Sequence, residues 1–180
     1  MINLKKLEDA DLVSLAKEQL PYITSAYEIL MRRHQAGLLN FCVRFLGSVA
    51  EGEDACQEVM LKAYHAMPRY RQDAKFRTWL FQVARNECLD RIRKYRKEIQ
   101  RHDDIEDEAA EQNVSPEAIL STEQELKRLL RSLTENEKEI FLLRYLGEFE
   151  FGEIAKITGL GTSAVKMRCI RTMEKLRKKL

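Results

Sequence analysis

FGEIAKITGLGTSAVKMRCIRTM, residues 151–173, reads as two short helices turned about a glycine. Ile154, Ala155, Leu160 and Val165 supply an apolar centre. Ala155 is small where two helices would cross closely, and Gly159 permits the positive φ that the turn needs. This is the layout of a helix-turn-helix. Along the second helix Val165, Cys169, Met173, Leu176 and Leu180 recur on one side, the spacing of a buried stripe. The opposite side presents Ser163, Lys166, Met167, Ile170 and Arg171. Met167 and Ile170 are poorly suited to water. Among cations they suit thymine methyls and sugars in a major groove, with Lys166 and Arg171 near base edges or phosphates. A helical hairpin with a basic solvent face fits the same residues.

Upstream, Thr134-Glu135-Asn136-Glu137 has the spacing of a capping box. It predicts a helix carrying Ile140, Phe141, Leu143 and Leu146, closed at Gly147. Residues 9–20 predict a short helix with Leu12, Leu15 and Ala16 on one face, broken at Pro21. From Tyr27 to Leu46, Leu30, Leu38, Phe41, Cys42 and Phe45 keep helical spacing. Gly47 and Gly52 are expected to bracket a turn before a helix from Glu53 to Met67. Cys56, Val59, Met60, Ala63 and Met67 form its inner face, and Pro68 ends it. RYRQDAK, residues 69–75, reads as an exposed loop. A long helix follows, FRTWLFQVARNECLDRIRKYRKEI, with Leu80, Ala84, Cys88, Ile92, Tyr95 and Ile99 as its buried stripe. Arg77, Arg85, Arg93, Lys94 and Lys97 are expected in water.

The 180 residues contain only 7 Gly and 3 Pro, with 44% hydrophobic and 33% charged positions. That balance favours amphipathic helices over a sandwich, a barrel or a disordered chain. The predicted fold is all-α, in two small domains: an N-terminal helical bundle, 1–98, and a C-terminal helix-turn-helix domain, 122–180. An acidic linker, 99–121, joins them. The charges are segregated. Arg69 to Arg101 holds 11 Lys and Arg against 4 Asp and Glu; Asp103 to Glu125 holds 9 acids and no base; Lys156 to Leu180 holds 8 bases against 1 acid. Two basic blocks flanking an acidic one favour a nucleic-acid partner over ordinary solvated faces. No run reaches the ~20 apolar residues of a membrane helix. Met1 to Lys17 lacks the apolar block of a signal peptide, so a cytoplasmic protein is expected. Cys42, Cys56, Cys88 and Cys169 stand singly, and His34, His65 and His102 lie far apart. No metal or cofactor is therefore predicted. Without a phosphate-binding loop, metal set or activated nucleophile, no catalytic residue is predicted either.

Three blocks resemble one family. GEDACQEVMLKAY (52–64), FRTWLFQVARNECLDRIRK (76–94) and SLTENEKEIFLLRYLGEFEFGEIAKITGLGTSAVKMRCIRTMEKLRKKL (132–180) are similar, in this order, to the conserved blocks of bacterial sigma factors of the extracytoplasmic-function group. The resemblance implies a promoter-specificity subunit that binds core RNA polymerase, recognises the −35 and −10 elements and helps melt DNA. On it, Asp54, Gln57, Glu58, Leu61 and Lys62 dock on the polymerase clamp. Read as residues alone, Asp54, Glu58, Leu61 and His65 fall on one helix face, an acidic stripe around an apolar residue that also suits plain solvent. The resemblance places a flipped non-template base of the −10 element at Tyr70, Gln72, Asp73, Ala74 and Asn86, with Arg77 and Arg85 on phosphates. Aromatic and basic residues beside a loop are a chemistry suited to single strands. Trp79 fits either the core or strand separation. For the −35 duplex the matching helix carries Ser163, Lys166, Met167, Arg168, Ile170 and Arg171. The acidic linker, implied to lie in the RNA-exit path, could span roughly 65 Å at ~3.3 Å per residue. Such families are commonly held by an anti-sigma factor. EQLPYITSAYEIL and Gly161-Thr162-Ser163-Ala164-Val165 depart from the usual family pattern. A stand-alone helix-turn-helix regulator with a helical sensor domain, or a helical protein-interaction module, are the competing readings.

Overall fold

The computed structural model describes residues 3–102 and 120–179, of which all regular structure is helical. Four helices form the N-terminal lobe: α1 (Asp9–Gln19), α2 (Ser25–Leu46), α3 (Val49–Ala66) and α4 (Phe76–His102). Four more form the C-terminal lobe: α5 (Leu120–Arg131), α6 (Glu135–Phe141), α7 (Phe151–Thr158) and α8 (Thr162–Arg177). Most of the predicted linker, 103–119, lies outside the described residues, as does Leu180. Its first residues, 99–102, continue α4, and its last two, 120 and 121, open α5. Residues 99–102, Ile-Gln-Arg-His, still precede the first acid of that segment.

The expected turn between Gly47 and Gly52 is not there. Gly47, at φ 79°, closes α2, and Ser48 alone separates it from α3, accepting the Glu51 N–H as N-cap. Gly52 lies inside α3 and is buried where that helix crosses α2. A Cβ there would stand 2.5 Å from the Val43 Cα. The glycine serves a close helix crossing rather than a turn, and a lone sequence shows no difference between the two.

Leu12, Val13, Ala16, Leu30, Leu38, Phe41, Cys42, Phe45, Val59, Ala63, Leu80, Ala84 and Cys88 are all buried in this lobe. Each large aliphatic or aromatic side chain so enclosed contributes about 1.5–3 kcal/mol. The departure from family pattern near the N-terminus leaves α1 well seated. Asp9 receives Arg33 at 2.9 Å and His34 at 2.6 Å from α2, and Leu12, Val13 and Ala16 are fully enclosed. The predicted stripe of α4 ends early. Ile92 is half-buried, while Tyr95 and Ile99 are 66% and 44% exposed. The apolar spacing persists, but the helix has run past the bundle.

In the C-terminal lobe the capping box forms as read. Thr134 N–H donates to the Glu137 carboxylate at 2.8 Å, and Glu137 N–H donates to the Thr134 hydroxyl at 3.3 Å. α6 then widens into a π turn over Leu142–Leu146 before Gly147, which leaves Leu146 39% exposed instead of on the expected apolar face. Gly159, at φ 73°, ends α7, and Ile154 and Val165 are fully buried between α7 and α8.

The two lobes do not stand apart. Phe81 of α4 meets Phe149 with ring centroids 4.9 Å apart, and α4 lies along α7. One continuous apolar core results.

Candidate polymerase and nucleic-acid interfaces

The outer face of α3 presents Asp54, Gln57, Leu61 and Lys62 to solvent, with Glu58 half-buried beside them. Leu61 is 52% exposed among these polar neighbours. Lys62 is not wholly available. It is ion-paired to Glu87 of α4, which also receives the Arg91 Nε at 2.6 Å, while Arg91 Nη1 reaches Glu51 at 3.1 Å. This network braces α3 against α4. Burial pushes the Glu87 carboxyl up, but Lys62 and Arg91 together hold it below its ordinary value of 4.5. A carboxyl lowered in the folded state contributes stability that is present above its unfolded pKa and lost as pH falls through the folded one. Glu87→Gln is therefore expected to flatten the fall of Tm below about pH 4.5 relative to wild type, measured by thermal melts across a pH series.

The loop between α3 and α4 is held by aromatic packing. Tyr70 is buried, its ring stacked on Trp79 at 4.6 Å and edge-on to Phe76 at 6.1 Å, and its hydroxyl donates to the Ala74 carbonyl. Lys17 Nζ donates to the Tyr70 carbonyl at 2.9 Å. Tyr70 is thus a loop support and not the free stacking ring expected from the sequence. The loop tip is exposed at Gln72 and Asp73, and Gln72 takes a φ of 60°. A side-chain residue in the left-handed region is uncommon and often marks a functional turn. A cleft of about 290 Å³ opens beside it, lined by Arg69, Tyr70, Arg71, Asp73, Ala74, Trp79 and Gln82. Along α4, Trp79, Gln82 and Asn86 follow at i, i+3 and i+7, so they continue the cleft along one helix face.

Arg77 and Arg85 turn to another face of α4. Arg85 Nε meets the Glu139 carboxylate at 2.6 Å, and Glu139 is 1% exposed. Arg77 donates to the Gly147 carbonyl, with its guanidinium carbon 4.2 Å from the Phe149 ring centroid. Both were expected in water. In the structure both are engaged by the C-terminal lobe.

α8 keeps the polarity read from the sequence. Val165, Cys169, Thr172 and Leu176 are buried, while Ser163, Lys166, Met167, Ile170 and Arg171 are exposed and Arg168 is half-buried. Met167 and Ile170 remain 49% and 52% exposed between cations. Among the described residues no group of three His, Cys, Asp or Glu side chains is placed to hold a metal ion, and no helix is long and apolar enough to cross a membrane.

Residues 30–98 match the family described as Sigma-70 region 2, and residues 129–178 match Sigma-70, region 4. The ECF RNA polymerase sigma factor SigW of Bacillus subtilis (strain 168) is 30% identical over 154 residues, covering 79% of this chain and 82% of its own. SigM of the same organism is 31% identical over 144 residues, covering 77% and 88%. The chain belongs to the extracytoplasmic-function sigma factors of the sigma-70 family. Its fold is that of RpoE from Bartonella quintana, solved with the anti-sigma factor NepR, at a TM-score of 0.74 and 22% identity over 87% of this chain and 96% of that one. CnrH, solved with the cytosolic domain of CnrY, gives 0.68 and 24% over 94% and 95%.

Within this sigma factor, the region 2 match runs from inside α2 through α3 to inside α4, and α1 precedes the matched residues. The structure brings Tyr70, Gln72, Asp73, Ala74 and Arg77 to one cleft of about 850 Å³, where Gln72 Nε2 donates to the Ser14 hydroxyl at 3.4 Å, and sets Arg85 apart on Glu139. Sequence reasoning did not single out Arg69, Gln82 and Arg71, which also line the smaller cleft. The i, i+3, i+7 spacing of Trp79, Gln82 and Asn86 was the signal that would have found the second. Helical periodicity anticipated the exposure of Asp54 and Leu61 on α3 and of Ser163, Lys166, Met167, Ile170 and Arg171 on α8.

Proposed function

We propose that this sigma factor docks on core RNA polymerase through Asp54, Gln57, Glu58 and Leu61 of α3. It captures an unstacked −10 base in the cleft beside Asp73 and Trp79, and reads the −35 duplex with α8. Lys62 acts chiefly as the brace behind the first of these faces. The observation that carries the reading is the exposure of Leu61 within an acidic face and of Met167 and Ile170 within a basic one. Apolar groups left in water beside charges of one sign suit partners of the opposite charge.

The sigma factor performs no bond chemistry itself. Nucleotidyl transfer belongs to polymerase, and the work here is positioning of DNA in the cytoplasm, where both partners are. RpoE and CnrH are each solved with a partner protein, the one described as an anti-sigma factor. A protein that holds this chain inactive is expected by the same logic.

Transcription by core polymerase on a promoter library tests the reading. New start sites that appear only when the protein is added support it, and none would sink it. Tight duplex binding without polymerase, and no such start sites, is the outcome a stand-alone regulator predicts. Lys166→Ala and Arg171→Ala are each expected to reduce the slope of log affinity against log salt by about one for the −35 duplex. If Arg171 contacts a base instead, its replacement relaxes specificity at one position by ~1–3 kcal/mol.

A further inference from the structure

A pocket of about 130 Å³ lies where the C-terminal end of α2 meets α5 and α6. Four cations line it, Arg44 of α2, Lys127 and Arg131 of α5 and Lys138 of α6, and no acid does. Val43 and Leu130 supply an apolar wall. Elsewhere in the molecule Arg33, Arg85, Arg91 and Lys175 each meet a carboxylate at 2.6–2.9 Å. Among the described residues none of the four pocket cations has such a partner. Glu135 attracts Lys138 but is itself ion-paired to Arg96.

This placement works against the fold. Lys127 and Arg131 stand one helical turn apart on α5, a like-charge spacing that destabilises a helix. Burial pushes the Lys138 ammonium below its ordinary pKa; Glu135 opposes the push and Arg131 adds to it. Lys138 Nζ donates to the Phe45 carbonyl at 3.3 Å, a long bond. Arg44 Nε donates to Asn40 Oδ1 at 2.7 Å, and its two terminal nitrogens have no partner among the described residues. Cations gathered without counter-charge around one concave opening focus a positive potential on it, and an anion there relieves their mutual repulsion.

We propose that this pocket binds the phosphate end of a small molecule, Arg44 and Arg131 supplying forked donors and Lys127 and Lys138 point charges. A terminal phosphate carries about −1.5 to −2 at neutral pH, and suits four cations better than the single charge of a carboxylate. The volume is that of roughly four liquid waters at ~30 Å³ each. That is room for one or two phosphoryl groups, and well short of the ~300 Å³ at which a pocket encloses a whole small molecule. The remainder of the ligand lies outside, over Val49, which is 57% exposed at the rim. The site is independent of the readings of α3, of the loop before α4 and of α8.

The test titrates the full-length chain with inorganic pyrophosphate and with adenosine diphosphate by calorimetry, at fixed ionic strength and without magnesium. Pyrophosphate is expected to bind saturably at one site with a Kd below about 1 mM and to raise the melting temperature. Tighter binding of adenosine diphosphate marks a nucleotide site and tighter binding of pyrophosphate a free-anion site; both support the proposal. Lys127→Gln with Arg131→Gln changes two exposed residues of α5, which the fold is expected to tolerate. This variant is expected to bind pyrophosphate about tenfold more weakly, because charge-assisted contacts to phosphate are the strong ones. Lys94→Gln with Lys97→Gln removes the same charge from the exposed end of α4 and is expected to change affinity by less than about twofold. Absence of saturable binding, unchanged affinity in the α5 variant, or equal loss in both variants overturns the site. Citrate bound as tightly as pyrophosphate overturns phosphate as its ligand. An α5 variant that loses affinity for a labelled oligothymidylate but not for pyrophosphate overturns it in favour of a nucleic-acid backbone.

Discussion

The double variant Asp54→Arg with Glu58→Arg is expected to lose promoter-dependent transcription, its affinity for core polymerase falling about a hundredfold or more. Both residues lie on the outer face of α3, one helical turn apart, with Leu61 52% exposed beside them. Reversing two charges at a docking face replaces attraction by repulsion, and like charges set against each other across an interface cost several kcal/mol. The fold is expected to tolerate the change, since surface substitutions away from caps and buried networks usually stay within about ±0.5 kcal/mol. The Lys62–Glu87–Arg91 brace lies behind this face and keeps all its members. The measurement is a titration of labelled protein with core polymerase, beside a thermal melt and a −35 duplex titration. Polymerase affinity should collapse while the other two hold. Retained polymerase binding would falsify the docking assignment, and equal loss of duplex affinity would point to a global defect.

The second large effect is structural. Gly52→Val is expected to destabilise the protein by about 3 kcal/mol, the upper part of the usual range for overpacking. A Cβ at this position would lie 2.5 Å from both the Cα and a methyl of Val43, and backbone cannot step aside as a side-chain tip can. α2 and α3 would have to separate along their whole crossing, and α3 carries the proposed docking face. Chemical denaturation should show a lowered midpoint with an unchanged slope. Gly152→Val makes a useful contrast, because nothing stands within 4 Å of a Cβ there, and only a modest change from helix propensity is expected. Similar stability for the two variants would remove the close-crossing argument.

Much of the proposed functional surface was legible because its exposure depends on helical period alone. Met167, Ile170 and Lys166 share a face of α8 whatever α8 packs against, and the burial of Val165 and Cys169 follows from the same repeat. The capping box at Thr134 and Glu137 was equally local, needing only three residues of spacing. Tyr95 and Ile99 failed for the opposite reason. Their spacing is as regular as that of Leu80 and Ala84, but burial requires a neighbour, and α4 outruns the bundle. Tyr70 failed because an aromatic residue in a basic loop serves equally as a stacking platform or as a prop, and only its contact with Trp79 decides between them.

Composition and periodicity therefore determined the helical class and the exposed faces of α3 and α8, since these are properties of a segment and its own turn, while the family rested on the resemblance of three motif blocks. Which side of α4 stays open to solvent, why Gly52 is a glycine, and what holds Arg77 and Arg85 were decided only by tertiary structure. Each depends on a second element: Val43 of the neighbouring helix for the glycine, and Glu139, Gly147 and Phe149, far away in sequence, for the arginines. A partner's approach is set by the packing of whole helices, and no local pattern of residues carries that information.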